Sequence, residues 1–251
     1  MSNVFRERKE VAAYAALLHE RGWVANHDGN VSVRLGGGRL LITPTGISKR
    51  LCGPETLVEC SPAGEPIGPG KAPSEVGLHV GAYRARSDAA AVIHAHPPHA
   101  SAYALCQVPL GPIGMPEVVV SLGEQVPMVP LYGPKDAAAA EALGQALGSA
   151  DVAILAGNGV VAIGPDLETA YLRIELLEHY ARILTLARGR VGEPAPMPDA
   201  LKEKLLDLRK KAGLHRGPIN TTSAAPSRGS LQDTLRNVVA EEVRRALGGK
   251  S

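Results

Sequence analysis

The chain has 251 residues, 45% hydrophobic and 21% charged, which suits a globular protein with a well-buried core and excludes a disordered one. A formal net charge of +2 gives no electrostatic case for nucleic acid or a membrane surface, and one Phe, one Trp and six Tyr are too few for a base-stacking platform. Three cysteines without CxxC spacing, a polar N-terminus and no apolar run of about 18 residues point to a reducing cytoplasm, without a signal peptide or membrane span.

In chain order, residues 4–22 predict an amphipathic helix, with Val11, Tyr14, Ala15 and Leu18 at helical spacing and Gly22 at its end. Residues 30–34 and 39–43 predict two strands joined by a triple-glycine turn, and residues 56–60 a third. Ser74 is a candidate cap for a helix from Glu75 to Arg86. Residues 90–94 read as a short apolar strand, and Pro97-Pro98 opens a helix to residue 106. Residues 117–121 and 126–130 are β-prone, and an Ala-rich helix is expected from Lys135 to Leu147. Strands at 152–156 and 160–163 flank the turn Gly157-Asn158-Gly159, and a long helix follows from Asp166 to Ala187. Close strand pairs interleaved with helices predict an α/β sandwich with much antiparallel pairing.

A Pro/Gly-rich linker at 189–198 separates this region from a charged helix at 199–213. A flexible stretch is expected at 214–230 and a further helix at 231–247, which either docks on its own chain or meets a partner. The expected division is a domain at 1–188 and a helical C-terminal extension at 189–251.

Four short segments carry the chemistry. In IHAHPPHA (93–100), His94 and His96 stand two apart on a strand, so both rings face one side, as a divalent metal would require. An isolated pair of this kind also fits two hydrogen-bonded histidines at a strand end. In KAPSEVGLH (71–79), Glu75 at a helix start reads as a cap partner, a metal ligand or a general acid/base, and Ser74 as an anion contact. HDGNVSVR (27–34) and ITPTGISK (42–49) place Gly29-Asn30 and Thr45-Gly46 in loops beside strands. Each pair is an ordinary turn or a set of backbone and side-chain donors for an anion.

Together, in this order, the segments GNVSVR, ITPTG, PSE and HAHPPHA, with the strand–turn–strand of 152–164 and the helix bearing Glu175 and Glu178, resemble the class II aldolase/adducin family over roughly residues 5–188. The resemblance implies a three-layer α/β/α sandwich around a largely antiparallel sheet. It also implies a homo-oligomer, commonly a tetramer, and a catalytic divalent metal, usually zinc, held by His94 and His96. Glu75 would serve as acid/base, while Gly29, Asn30, Thr45, Gly46 and Ser74 would hold the substrate's anionic end.

The chain departs from the family's pattern in three places. Asn158 stands where the third metal-binding histidine is usual, which favours iron, manganese or cobalt more than an all-imidazole site would. Pro73 replaces the first of two serines, weakening a phosphate contact. Tyr132 lies one place later than the family's proton-donating tyrosine. His99 and His27 are further pocket candidates and Lys49 a candidate partner for an anion, whereas His79 and His179 read as surface or packing residues on helices. Three functions follow: a metal-dependent lyase acting on a small oxygenated carbonyl substrate through an enediolate-like species, a non-haem iron oxygenase using the same two histidines and carboxylate, or a non-catalytic scaffold.

Overall fold

The computed structural model describes residues 3–133 and 135–214. Among them a seven-stranded sheet runs in the order β3-β2-β1-β4-β7-β6-β5. Its strands are β1 (Asn30–Arg34), β2 (Leu40–Ile42), β3 (Val58–Cys60), β4 (Ala91–Ala95), β5 (Met128–Val129), β6 (Val152–Leu155) and β7 (Val160–Gly164). Every neighbouring pair is antiparallel except β5 with β6. β4 occupies the middle of the sheet and is buried along its whole length, which explains its near-continuous apolar sequence.

Helices cover both faces. On one side lie α2 (Val76–Ala85) and α5 (Ala137–Leu147), which pack on each other over Val92, Ala153, Val161 and Ile163. On the other lie α1 (Asn3–Glu20), α3 (Pro98–Cys106), α4 (Pro116–Leu122) and α6 (Leu167–Arg190), over Ile93, Ala95, Ile154 and Ala162. α7 (Asp199–Lys211) packs against α4 and buries Leu205 and Arg209. The two-residue alternation along β4 sends Ala91, Ile93 and Ala95 towards α6, and Val92 and His94 towards α2. A three-layer α/β/α sandwich around a largely antiparallel sheet is therefore the architecture.

Local outcomes differ from expectation where tertiary packing outweighs propensity. The β-prone run 117–121 is helix α4: Pro116 supplies a preset first helical position, and Val118, Val119 and Leu122 bury one face against the core. α5 begins at Ala137, capped by the Asp136 side chain, because Lys135 takes a φ of 65° that no helix accommodates. α6 runs to Arg190 and so absorbs the start of the expected linker. Leu214 is buried, and the rest of the stretch expected to be flexible, with the helix expected at 231–247, lies outside the described residues.

Candidate metal and acid–base site

The site forms where β4 ends. His94 is paired across the ladder with Asn30 on one side and Val161 on the other, and is fully buried. Its Nδ1 lies 3.0 Å from the Val160 carbonyl, so Nδ1 carries hydrogen and Nε2 is turned outward. His96 follows at the strand end, its backbone N–H bonded to the Trp23 carbonyl at 2.7 Å. The two Nε2 atoms are 3.3 Å apart, with the rings inclined by 61°. Glu75, rather than Ser74, occupies the N-cap position of α2, and neither side chain caps the helix. The Glu75 carboxylate turns instead to the sheet, where Oε1 is 3.3 Å from His94 Nε2 and accepts from Asn158 Nδ2 at 2.8 Å.

Glycines permit this convergence. Gly29 has a φ of 69°, and a β-carbon there would lie 2.4 Å from Val24 Cγ1 and 3.0 Å from the His94 carbonyl. Gly159, also at 69°, would place one 2.4 Å from the Ala95 carbonyl. Backbone thus closes on both sides of the strand that presents the imidazoles, and only glycine fits.

Electrostatics gather one positive charge here. Burial alone would raise the Glu75 pKa, but the His94 charge and the bonds from His94 and Asn158 outweigh it and hold the carboxyl down to about 2. His94 moves the other way: burial opposes its protonation, yet Glu75 pulls its pKa above the usual value. Burial and the neighbouring His94 charge both lower His96. The carboxylate and the buried imidazole thus stabilise each other's charged forms, and His96 is pushed towards its neutral form. Asp28 adds negative potential at both histidines, and sequence reasoning passed over it although it sits in the quoted HDGN segment.

The remaining candidates scatter around this centre. Gly29 adjoins it, and buried Asn30 leaves its Oδ1 without a partner. Thr45, Gly46 and Ser74 are exposed in loops. Thr45 borders a cleft of about 500 Å³ with Arg8, Lys71, Glu55 and Glu59, which none of Glu75, His94 and His96 lines. Tyr132 packs on the α2-side core, and Leu131 lies beside the Gly157 turn. His99 is held by buried Glu178, which accepts from its Nδ1 at 2.7 Å, from its backbone N–H at 3.0 Å and from that of Ala100 at 2.9 Å. Lys49 is buried and donates to the His27 carbonyl at 3.1 Å, and His27 itself is exposed. His179 is exposed as expected, whereas His79 is fully buried in a hydrogen-bonded network, which its place on a helix did not signal.

Among the described residues, no group of three or more His, Cys, Asp or Glu is arranged so that it could hold a metal ion as it stands. The donor chemistry nevertheless fits a cation. Imidazole nitrogens about 2.0–2.1 Å from a tetrahedral zinc lie roughly 3.3 Å apart. The observed 3.3 Å spacings, His96 Nε2 to His94 Nε2 and His94 Nε2 to Glu75 Oε1, match that edge. Deprotonating the trio frees lone pairs that a metal ion would take up in place of the proton.

Comparison with known proteins gives the family and the fold. Residues 9–185 match the model of the class II aldolase and adducin N-terminal domain. The chain is 32% identical over 195 residues, 76% of its length and 88% of the relative's, to a 3-oxo-tetronate 4-phosphate decarboxylase of Pectobacterium atrosepticum. It is also 32% identical, over 72% of its length and 96% of the relative's, to an L-fuculose phosphate aldolase of Methanocaldococcus jannaschii. Among solved structures, an L-fuculose-1-phosphate aldolase from Thermus thermophilus superposes with a TM-score of 0.66 at 30% identity, covering 78% of this chain and all of that one.

Proposed function

Because the chain belongs to the class II aldolase and adducin family, we propose that it is a divalent-metal-dependent carbon–carbon lyase of aldolase or decarboxylase type, acting on a small oxygenated carbonyl substrate. The observation that carries this reading is that His94 Nε2 lies 3.3 Å from both His96 Nε2 and Glu75 Oε1. Breaking a bond next to a carbonyl leaves an electron pair in an enediolate-like species, whose charge must be stabilised. A bound divalent ion would supply that stabilisation as a Lewis acid.

In this reading His94 and His96 hold the ion and Glu75 moves the proton, since its Oε1 is fixed by Asn158 beside the histidine pair. The Asn158 amide nitrogen is engaged with Glu75, so only its Oδ1 is left for a metal. Zinc is the first expectation, and because that donor is weaker than an imidazole, iron, manganese and cobalt are competitors. Gly29 and Asn30 border the pair and would hold the nearer part of an anionic substrate, with Thr45, Gly46 and Ser74 closing on its far end. Tyr132 is the candidate proton donor. The chemistry falls within residues 1–188, and the assembly expected is a homo-oligomer, a tetramer by family analogy.

The bond between Asn158 and Glu75 favours one second reading, a two-histidine, one-carboxylate iron centre acting on O₂. Metal analysis after chelator-free purification, joined to a screen of phosphorylated ketoses and oxo acids, separates the two. We expect bound zinc or manganese with carbon–carbon cleavage, and neither metal nor turnover in His94→Ala. Oxygen-sensitive ferrous iron would turn the assignment to an oxygenase. A native chain without metal and without turnover would leave a scaffold.

A further inference from the structure

The side of α2 that meets the sheet carries Glu75, His79 and Tyr83 at four-residue intervals, so these side chains stack along one line. Opposite them, Asn30 and Ser32 share a face of β1. His79 is fully buried, with Nδ1 2.7 Å from Ser32 Oγ, which in turn lies 2.9 Å from the Tyr83 hydroxyl. Two directions are open to this chain, and we take the one in which every hydroxyl hydrogen meets an acceptor. The Tyr83 O–H donates to Ser32 Oγ, and the Ser32 hydroxyl then donates to His79 Nδ1. Burial holds the imidazole neutral, with a pKa down to about 3, so its single hydrogen rests on Nε2.

That Nε2–H is buried and has no partner in the structure, at a cost of roughly 1–3 kcal/mol if nothing meets it. A helical side chain leans back over the preceding turn, which sets the ring over the turn that starts at Glu75. Ser32, which holds His79, lies two residues along β1 from Asn30, the residue paired with His94, and His94 meets Glu75 at 3.3 Å. Asn30 Oδ1, on the residue paired with His94, is a buried acceptor that also lacks a partner. Two buried, unmet polar atoms therefore lie on the α2-facing side of the sheet, one on the helix that begins beside Glu75 and one on the strand residue paired with His94.

We propose that His79 is a positioning residue: its Nε2–H and Asn30 Oδ1 hold one buried water, whose remaining hydrogen bonds the Glu75 carboxylate and fixes the angle at which Glu75 faces His94. Such a water accepts one bond and donates two, the usual complement of an internal water. The catalytic consequence rests on the lyase reading, whereas the hydrogen-bond arrangement stands without it.

Nitrogen-15 NMR of the imidazoles in the full chain tests the arrangement, with the His79 signal assigned by its loss in His79→Gln. We expect a neutral ring protonated at Nε2, and an overturning result is a hydrogen on Nδ1. Ser32→Ala touches neither Glu75 nor the histidine pair, yet it frees the tautomer. It should lower kcat on the order of tenfold, with KM and metal content unchanged. His79→Leu should cost on the order of a hundredfold, while His79→Gln, which keeps an N–H near the Nε2 position, should recover most of it. Full kcat in His79→Leu would overturn the positioning role. If the native chain cleaves no carbonyl substrate, the lyase reading fails, and the tautomer still decides the arrangement.

Discussion

Asp151 and Glu75 are both carboxylates set among basic groups, and their surroundings are opposites. Asp151, at the entry to β6, accepts from Arg86 at 2.9 Å, from Arg173 at 2.8 Å and from Arg209 at 3.0 Å. All three partners keep their protons at any physiological pH, and they leave the carboxylate little capacity for another ligand. Glu75 has a neutral amide and an imidazole that can give its proton away. A closed cluster of permanent charges builds structure, while an open cluster of exchangeable ones invites chemistry. Arg209 also donates to the carbonyls of Val120 and Ser121, so α7, which lies past the matched residues 9–185, is tied to α4 and to the sheet.

The comparison breaks most violently at Asp151. Asp151→Ala leaves three buried guanidiniums without their common counterion and should cost about 3–5 kcal/mol, read by thermal or urea unfolding. Its pH signature has a definite sign. The three guanidiniums outweigh burial and hold the folded-state pKa of Asp151 below 3.8. Its contribution is therefore complete above about pH 4 and is lost as pH falls through the lower, folded value. The acid limb of the stability curve should flatten in Asp151→Asn.

At the open site the expected loss is catalytic. Glu75→Gln should reduce turnover about 10²–10⁴-fold with a change in stability of less than about 1 kcal/mol. Undiminished turnover would move the proton transfer to another group. The smallest effect should come from Asn158→His, which offers a third imidazole and should tighten zinc by on the order of tenfold. Unchanged zinc affinity would mean that the side chain at 158 does not reach the ion.

The open site was legible in sequence because its parts sit in short segments with local meaning. A histidine pair at a strand end and a Ser-Glu before a helix are visible within eight residues, and the structure joins them to the Asn158 turn. The Asp151 cluster was invisible, since its partners lie 65, 22 and 58 positions away and each reads alone as a surface arginine. Ser74 misled for a local reason: serine is a good cap in general, yet here the first helical turn starts one residue later and the cap position goes to Glu75. The valines of α4 misled because β-branching is a statement about isolated residues, and burial against α6 and α7 decided otherwise. His79 was read as a surface or packing residue, and its hydrogen-bonded burial needs Ser32 and Tyr83 in three dimensions.

The paired prolines after His96 have one more effect. Pro97 confines the backbone of His96 to extended conformations, and with Pro98 it removes two rotational freedoms from the segment that presents the ring. Much of the entropy of arranging that segment is thus already lost in the unliganded chain. Loading with an ion should then proceed with little refolding heat and almost no change in circular dichroism, as a key enters a lock cut beforehand rather than one that shapes itself around it.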